Sequence, residues 1–587
     1  MRLADSDAEF AEQCNDIDVI VIGSGYGASV CAARLAEAGA KVVVLERGRD
    51  FADGSGKPFP DTAEQLRANT QIESSLFQRT RRLGLFNFHL NREVDVLVGC
   101  GLGGTSLINS NVVIRAERRV LQRDAWPSAL REPNDGMWLE SYYRRALSVL
   151  DPMRYPTERR PPPRKLAAII KNGGERCQLN VHYSQANVNS VGVPQQECND
   201  CGDCNTGCNF SAKKTLCFTY LPIAKSFGAR IFVQRDVRHI EQSGDQWVVH
   251  FQRLQSGSEA IEATERISAR AVVIGAGVLG TTGILLRSRK RGLSLSDCLG
   301  QRFSGNGDAI AFAYNCDEPI DAVGYGNLVA DEPPYAPPDG VSRVGATILG
   351  MIDQRDTANV DDGILIEDSC VPSGLARLMR VVAQLIAATG TETQHGLTHW
   401  FNERLAEARD LVGGENGALS RTLPLVLMGH DGANGVIELD EDDSPQIRWP
   451  ERNTAALMTS ENARAREIAS KLGGLFVPDP SRFLKNHITV HPLGGCPMGD
   501  SVATGVVDHA GRVFQQAGRV HNRLYVSDAS VIPTSLGANP LLTITALAER
   551  TAEHIARDLG LVPRASMTLA PRIENRGTPG SATRSIA

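Results

Sequence analysis

An unbroken apolar run that ends in a glycine turn and restarts as a helix leaves few folds open, and this chain begins with one. Residues 17–23, IDVIVIG, read as a strand buried on both faces. GSGYGASVCAARLAEAGA follows with helical spacing and a stop at Gly39, and KVVVLERG supplies a second strand. Joining two parallel strands needs a crossover, so the three pieces form one βαβ unit. Gly23, Gly25 and Ala28 fill the G-x-G-x-x-[GA] positions, with Tyr26 and Gly27 between them. One glycine makes the turn, one lets a pyrophosphate approach the backbone, and the third position lets helix pack on strand. Glu46 ends the second strand 23 residues after Gly23. A carboxylate there accepts hydrogen bonds from a ribose and repels the extra phosphate of NADP, so the unit predicts a dinucleotide site.

The 587 residues suffice for a large core, and 42% hydrophobic with 22% charged residues describes a folded chain. A net charge of -6 argues against nucleic acid as the main partner, because phosphate binding relies on clustered Lys and Arg. Residues 1–15 are acidic and polar, unlike a signal peptide, and no apolar run approaches the roughly 20 residues that span a bilayer. The expectation is a cytoplasmic protein without a transmembrane segment. In that compartment clustered thiols are metal ligands or redox groups before they are a disulfide framework.

Further along, GCGLGGTSLIN (99–109) is a second glycine cluster after an apolar stretch. A helical stretch lies near 138–150, and PTERRPPPRK reads as a connection. GARIFVQRDVRHIEQ and QWVVHFQRL look like hairpin strands, and ARAVVIGAGVLGTTGILLRS is another strand, glycine turn and helix. HPLGGC (491–496) and YVSDASVIPTSLGANPLLTITALAER (525–550) close the informative part.

These four segments, GSGYGA, GCGLGGTSLIN, HPLGGC and YVSDASVIPTSLGANPLLTITALAER, in this order and spacing, resemble the glucose-methanol-choline (GMC) flavoprotein oxidoreductases, and most of all their cholesterol-oxidase-like branch. The resemblance covers nearly the whole chain. It implies an α/β (α+β) fold: a Rossmann-like FAD-binding domain built from discontinuous segments, with a sheet-based substrate-binding domain over it. The division expected is an N-terminal tail at 1–15, FAD-binding parts at 16–120, 229–309 and 486–562, a connecting region at 121–228, a substrate-binding domain at 310–485 and a flexible tail at 563–587. The glycine turn would hold the FAD pyrophosphate and Glu46 the adenosine ribose. Gly104, Thr105, Asn109 and Ser110 match positions along the flavin, Val237 the valine that meets the adenine, and Asp528 and Ala529 the second pyrophosphate and ribityl contact. One departure is that Thr281 and Thr282 stand where the family's second signature usually has Ser-Pro.

Oxidising an alcohol requires a base for the hydroxyl proton while a hydride leaves carbon for the flavin, with a second polar group to hold the oxygen. His491 takes the family's catalytic-histidine position and Asn539, in GANP, the partner position. IEDSCVPSGL aligns with the glutamate-bearing loop of cholesterol oxidases, which would make Glu367 the carboxylate that moves a proton during double-bond isomerisation. His487 precedes His491 by four residues, but HITVH reads as strand and lacks the glutamate of an H-E-x-x-H metal pair. The expected substrate is a small-molecule alcohol on a bulky, apolar, steroid-like frame.

Four of the 13 cysteines, Cys198, Cys201, Cys204 and Cys208, fall in ECNDCGDCNTGC with C-x-x-C-x-x-C-x-x-x-C spacing. That spacing suits an iron–sulfur cluster, 4Fe-4S or 3Fe-4S, with Cys208 or Cys217 as fourth ligand. Zinc and unligated thiols or disulfides are the alternatives. A cluster would pass electrons singly to an external carrier, an electron-acceptor protein or quinone. Without it oxygen would take both and give hydrogen peroxide. A non-redox lyase of the same fold and a flavin-bearing electron-transfer module are the remaining readings.

Overall fold

The fold is that of a computed structural model, which describes residues 3–13, 16–51, 59–74, 83–131, 137–255, 261–326, 344–379, 417–449, 455–479 and 487–562. The tail expected at 563–587 lies outside them. The opening βαβ unit forms as its apolar pattern requires. Strands Val19–Ile22 and Val42–Leu45 pair in parallel, with helix Tyr26–Glu37 between them, and every strand residue is buried. They sit inside a six-stranded sheet ordered Arg512–Phe514, Val520–Val526, Ala271–Ile274, Val19–Ile22, Val42–Leu45, Arg230–Phe232. All neighbours are parallel except the antiparallel pair at the Arg512 edge. One Rossmann-like sheet is thus assembled from the two ends and the middle of the chain. A three-stranded antiparallel meander, Arg235–Ser243, Gln246–Leu254 and Ile261–Ala269, completes this half.

The second half is an antiparallel sheet ordered Leu475–Pro478, Ala309–Tyr314, Leu423–Met428, Ile364–Asp368, Gly350–Gln354, Glu175–Arg176. Side chains alternate across a strand. On Ile364–Asp368 one face carries Ile364 and Ile366 into an apolar cluster with Ile352, Leu425 and Leu427, and the other presents Leu365 and Glu367. A smaller sheet, ordered His487–Thr489, Val94–Gly99, Phe86–Leu90, Thr70–Ser74, leads from the first half to His491.

The segment at 1–15, expected as a tail, is instead docked over its described residues. Leu3 is buried, and Asp5 bonds the backbone of Ile231 on the edge strand by both its N–H, to the Ile231 carbonyl at 2.7 Å, and its carboxylate, from the Ile231 N–H at 2.8 Å. Helix Asp7–Gln13 then sets Phe10 edge-on to Phe232 at 4.8 Å. An exposed sheet edge invites further pairing, and this segment covers it.

Helix Leu541–Asp558 packs on helix Tyr26–Glu37, tying the last described element to the opening βαβ unit. At their contact Arg34 Nε and Nη2 make a two-pronged bond to Glu549 (2.8 Å each), and Nη1 reaches Glu37 at 3.0 Å. Tyr220 donates to the same Glu549 at 2.7 Å. All three charged side chains are fully buried. Removing one partner of a buried pair leaves an uncompensated charge. Arg34→Met should therefore cost about 3–5 kcal/mol, read as a lower urea midpoint. Adding Glu549→Leu should recover part of the loss; no recovery would place the cost in shape rather than charge.

Candidate active site

The three dinucleotide elements meet as the motif requires. Gly23 has φ 93°, and a Cβ there would stand 2.4 Å from the Gly275 carbonyl oxygen. A Cβ on Gly27 would come within 1.8 Å of the Ser527 carbonyl oxygen, because the end of strand Val520–Val526 crosses the helix start there. Ala28 is buried and packs on Gly275. Before Gly25, by contrast, no atom lies within 4 Å of where a Cβ would be. Gly25 caps the helix without any side-chain hydrogen bond, so the first turn presents bare N–H groups and the positive end of the dipole to an open space. The second glycine cluster closes one side: Gly104 starts the short helix Gly104–Leu107, and its Cβ would meet Gly25 Cα at 3.0 Å.

Glu46 is buried directly after its strand. Its Oε2 accepts from the Ser24 hydroxyl at 2.5 Å and Oε1 from the Gly48 N–H at 2.7 Å. Burial raises its pKa against those two bonds. Ser24, which the glycine pattern treats as a spacer, also accepts from the Gly103 N–H at 2.9 Å and so links the two glycine clusters. Val237 is buried at a bulge where the pairing with strand Gln246–Leu254 shifts, on the strand whose Arg235 N–H bonds the Glu46 carbonyl at 2.8 Å. Asp528 is engaged by its own surroundings: Oδ1 accepts from Ser530, and Oδ2 from the Gly277 N–H at 2.9 Å and the Thr281 hydroxyl. The threonine that departs from the family's Ser-Pro thus anchors Asp528. Ala529 passes its carbonyl to the Gly494 N–H, joining the HPLGGC segment to the same turn.

Along the flavin-side loop, Thr105 accepts from the Gly99 N–H at 3.1 Å and Asn109 donates to the Tyr26 hydroxyl at 2.9 Å. Asn109 Oδ1 is buried with no partner in the protein. Ser110 donates to Asn205 at 2.7 Å. Lys213, fully buried, spends its three N–H bonds on the carbonyls of Leu107, Asn109 and Cys204. Burial lowers its pKa to about 8. No local pattern in the sequence marks Lys213 or Asn205. The uncapped helix start, the open space before Gly25 and the orphaned Asn109 oxygen fit an FAD cofactor with its pyrophosphate at Gly25 and its flavin along 104–110.

His491, Asn539 and Glu367, far apart in sequence, are brought to one place. Asn539 Nδ2 donates to Glu367 Oε2 at 3.2 Å, and the other oxygen of each, Glu367 Oε1 and Asn539 Oδ1, is buried without a protein partner. Burial pushes the Glu367 carboxyl up to about 8, against the opposing pull of Asn539 and His491. His491 Nδ1 lies 2.8 Å from Asp308 Oδ1. A carboxylate only accepts, so the proton sits on Nδ1 and Nε2 keeps its lone pair. Burial alone would lower the ring's pKa, but Asp308 and Glu367 outweigh it and the net shift is upward. On the same sheet face as Glu367, Leu365, with Met428 and Ala538, forms a small buried apolar cluster against Ile114 and Met351. The family pattern gave no sign of Asp308, which lies in the turn SGNGD with nothing but glycines and a following strand to mark it.

The expectation of an iron–sulfur cluster finds no support in the side-chain arrangement. Among the described residues no group of three or more His, Cys, Asp or Glu side chains is placed to hold a metal ion, and Cys198, Cys201, Cys204 and Cys208 are no exception. Left-handed turns at Gly202 and Gly207 shape the segment, and the Cys201 backbone pairs with Gly345. Burial, with Asp200 and neighbouring thiols beside Cys198, Asp203 and neighbouring thiols beside Cys201, and Cys204 beside Cys208, raises these thiols above their ordinary values. Cys217, the other fourth-ligand candidate, donates to the Leu102 carbonyl at 3.1 Å. Among the described residues no helix is long and apolar enough to cross a membrane.

Comparison with known proteins agrees with this geometry. The two GMC oxidoreductase family models match residues 17–303 and 433–548. The chain is 27% identical to a cholesterol oxidase of Mycobacterium tuberculosis over 577 residues, covering 92% of this chain and 90% of that one. It is 25% identical to a cholesterol oxidase of Acinetobacter baumannii, at 92% and 94% coverage. A long-chain-alcohol oxidase of Arabidopsis thaliana is 22% identical, over 92% of this chain and 68% of that one. Among solved structures, a fungal aryl-alcohol oxidase superposes with a TM-score of 0.56 at 15% identity, over 93% and 99% of the two chains, which shows the shared fold. From the glycine cradle to the shared fold, the observations converge, and the chain belongs to the GMC oxidoreductases as an FAD-dependent enzyme acting on CH–OH donors.

Proposed function

We propose that the enzyme oxidises a ring hydroxyl on a bulky, apolar, steroid-like molecule, and that it then shifts a double bond in the ketone. The observation that carries this reading is the bond between Asn539 and Glu367 beside His491, which puts a second, proton-moving carboxyl at an alcohol-oxidising site. The apolar cluster of Leu365, Met428 and Ala538 next to it supports a large hydrocarbon frame over a sugar or polyol. The similarity to cholesterol oxidases supports a sterol.

Bound FAD, held at Gly23 to Ala28, Glu46, Val237, 104–110 and 528–529, would supply the hydride acceptor. The chain's own residues handle the proton and the oxygen. His491 Nε2 takes the hydroxyl proton. Asn539 has a second N–H beyond the one given to Glu367, and that donor holds the substrate oxygen as it becomes a carbonyl. Glu367, once ionised, removes a proton from the carbon beside the carbonyl and returns it at the far end of the double bond, with no net redox change. Its elevated pKa keeps the group neutral at pH 7 and makes the base form available as pH rises through about 8. Each of the two cholesterol oxidases and the long-chain-alcohol oxidase is an oxidase by name, which supports dioxygen as the electron acceptor.

Four outcomes are expected. His491→Asn should lower the rate of anaerobic flavin bleaching by cholesterol about 10²–10⁴-fold with the flavin still bound, the range for general acid–base catalysis; unchanged bleaching would remove His491 from the mechanism. Glu367→Gln keeps an acceptor for Asn539, so oxidation should continue while the unconjugated ketone accumulates, seen as oxidation without the rise in strong ultraviolet absorbance that the conjugated ketone gives. The wild-type isomerisation step should quicken as pH rises through about 8. Conjugated product from Glu367→Gln at the wild-type rate would show that the carboxyl moves no proton. Steady turnover should consume one dioxygen per alcohol and release hydrogen peroxide, and an absolute need for an artificial acceptor would make the enzyme a dehydrogenase.

A further inference from the structure

Five residues, Ser304 to Asp308, join the two halves of the molecule immediately before strand Ala309–Tyr314, and they hold both catalytic segments. Asn306 is fully buried and left-handed at φ 58°, followed by Gly307 at φ 66°. A non-glycine residue held there marks a place where the surroundings fix the backbone. Its side chain encloses the turn that carries Asn539: Oδ1 accepts from the Leu536 and Gly537 N–H groups at 2.8 and 3.1 Å, and Nδ2 donates to the Ala538 carbonyl at 2.9 Å. Two residues on, Asp308 does the same for the histidine. Oδ2 accepts from the Val490 and His491 N–H groups at 2.8 and 3.0 Å, while Oδ1 meets His491 Nδ1 at 2.8 Å. The turn is anchored from below by Asp431, whose two oxygens accept from the Ser304 hydroxyl at 2.7 Å and the Gly307 N–H at 3.2 Å.

We propose that the loop Ser304–Asp308 is the positioning element of the site, in which Asp308 fixes the His491 tautomer and balances the imidazolium charge while Asn306 sets the position of Asn539 relative to it. The proposal rests on His491 as the base. In the oxidation the substrate O–H bond breaks and an Nε2–H bond forms, the C–H pair leaves as hydride for the flavin, and the C=O bond forms. The ring becomes cationic while Nδ1 keeps its proton against Asp308. Two groups act on the ring electrostatically, Asp308 and Glu367. Glu367 is neutral until pH approaches about 8, so below that Asp308 is the counter-charge. Without it, burial is left to act nearly alone, and burial lowers a histidine pKa.

The sign follows. A base must be unprotonated in the free enzyme, so kcat/KM rises with pH through the His491 pKa. Asp308→Asn should reduce the plateau of kcat/KM about 10²-fold or more, because the developing cation loses its partner, and should at the same time move the acidic limb to lower pH. Asn306→Ala should lower the plateau and leave that limb where it is, and Asp308→Glu should restore the limb in part. Loss of activity in Asp308→Asn with the limb unmoved would overturn the electrostatic role. A measurement independent of turnover is ring-nitrogen NMR of the FAD-loaded wild-type enzyme, with His491 assigned by its absence in His491→Asn. The neutral ring should be the Nδ1–H tautomer, and an Nε2–H tautomer would overturn the proposal even if every variant misfolded. If no alcohol bleaches the flavin, the oxidation reading fails, while the tautomer still decides the role of Asp308.

Discussion

The contact on which the rest of the molecule depends is the crossing of Gly27 by the carbonyl of Ser527. No side chain fits between them, since even a Cβ would stand 1.8 Å from that oxygen. That closeness lets strand Val520–Val526 join the sheet begun by Val19–Ile22, and it delivers the last helix onto the helix of the opening βαβ unit. The buried Arg34–Glu549 pair then locks the same two helices a few turns away. Because the segment carrying His491 and the turn carrying Asn539 flank this returning strand, the chemistry at one end of the sequence is registered against the nucleotide cradle at the other.

A second constraint follows from the sheet of the substrate side. Glu367 and Asp368 are adjacent on one strand and so point to opposite faces. Asp368 is neutralised by the fully buried Lys165 at 2.9 Å and accepts from two backbone N–H groups. Glu367 has no cation hydrogen-bonded to it, only an amide, and its carboxyl holds its proton to higher pH. Two carboxyls one residue apart therefore have unlike duties, set by which face each occupies.

Much of this was legible in the sequence. The apolar runs at 17–23 and 271–274 form buried parallel strands, and Gly23, Gly25 and Ala28 read as turn, approach and packing, with the positive φ at Gly23 and the contact of Ala28 with Gly275 in keeping. His491, Asn539 and Glu367 were marked by short local patterns that survive at low identity. Asp308, Asn306 and Lys213 were not, because most of their partners are backbone groups far away in the chain, and a backbone group leaves no trace in a residue pattern. The cysteine spacing is matched by no metal-holding group among the described residues. Spacing fixes how far apart thiols can be along the chain, while the left-handed turns at Gly202 and Gly207 shape how they are placed.

Three buried polar atoms, Asn109 Oδ1, Glu367 Oε1 and Asn539 Oδ1, have no partner within the protein. Each such atom carries a desolvation penalty of about 1–3 kcal/mol that a hydrogen bond removes. If, as proposed, these groups recognise cofactor and substrate, they are a standing burden on the unloaded fold. Occupancy lifts it, so cofactor supply during synthesis bears on how much of this enzyme a cell accumulates as well as on how much of it is active.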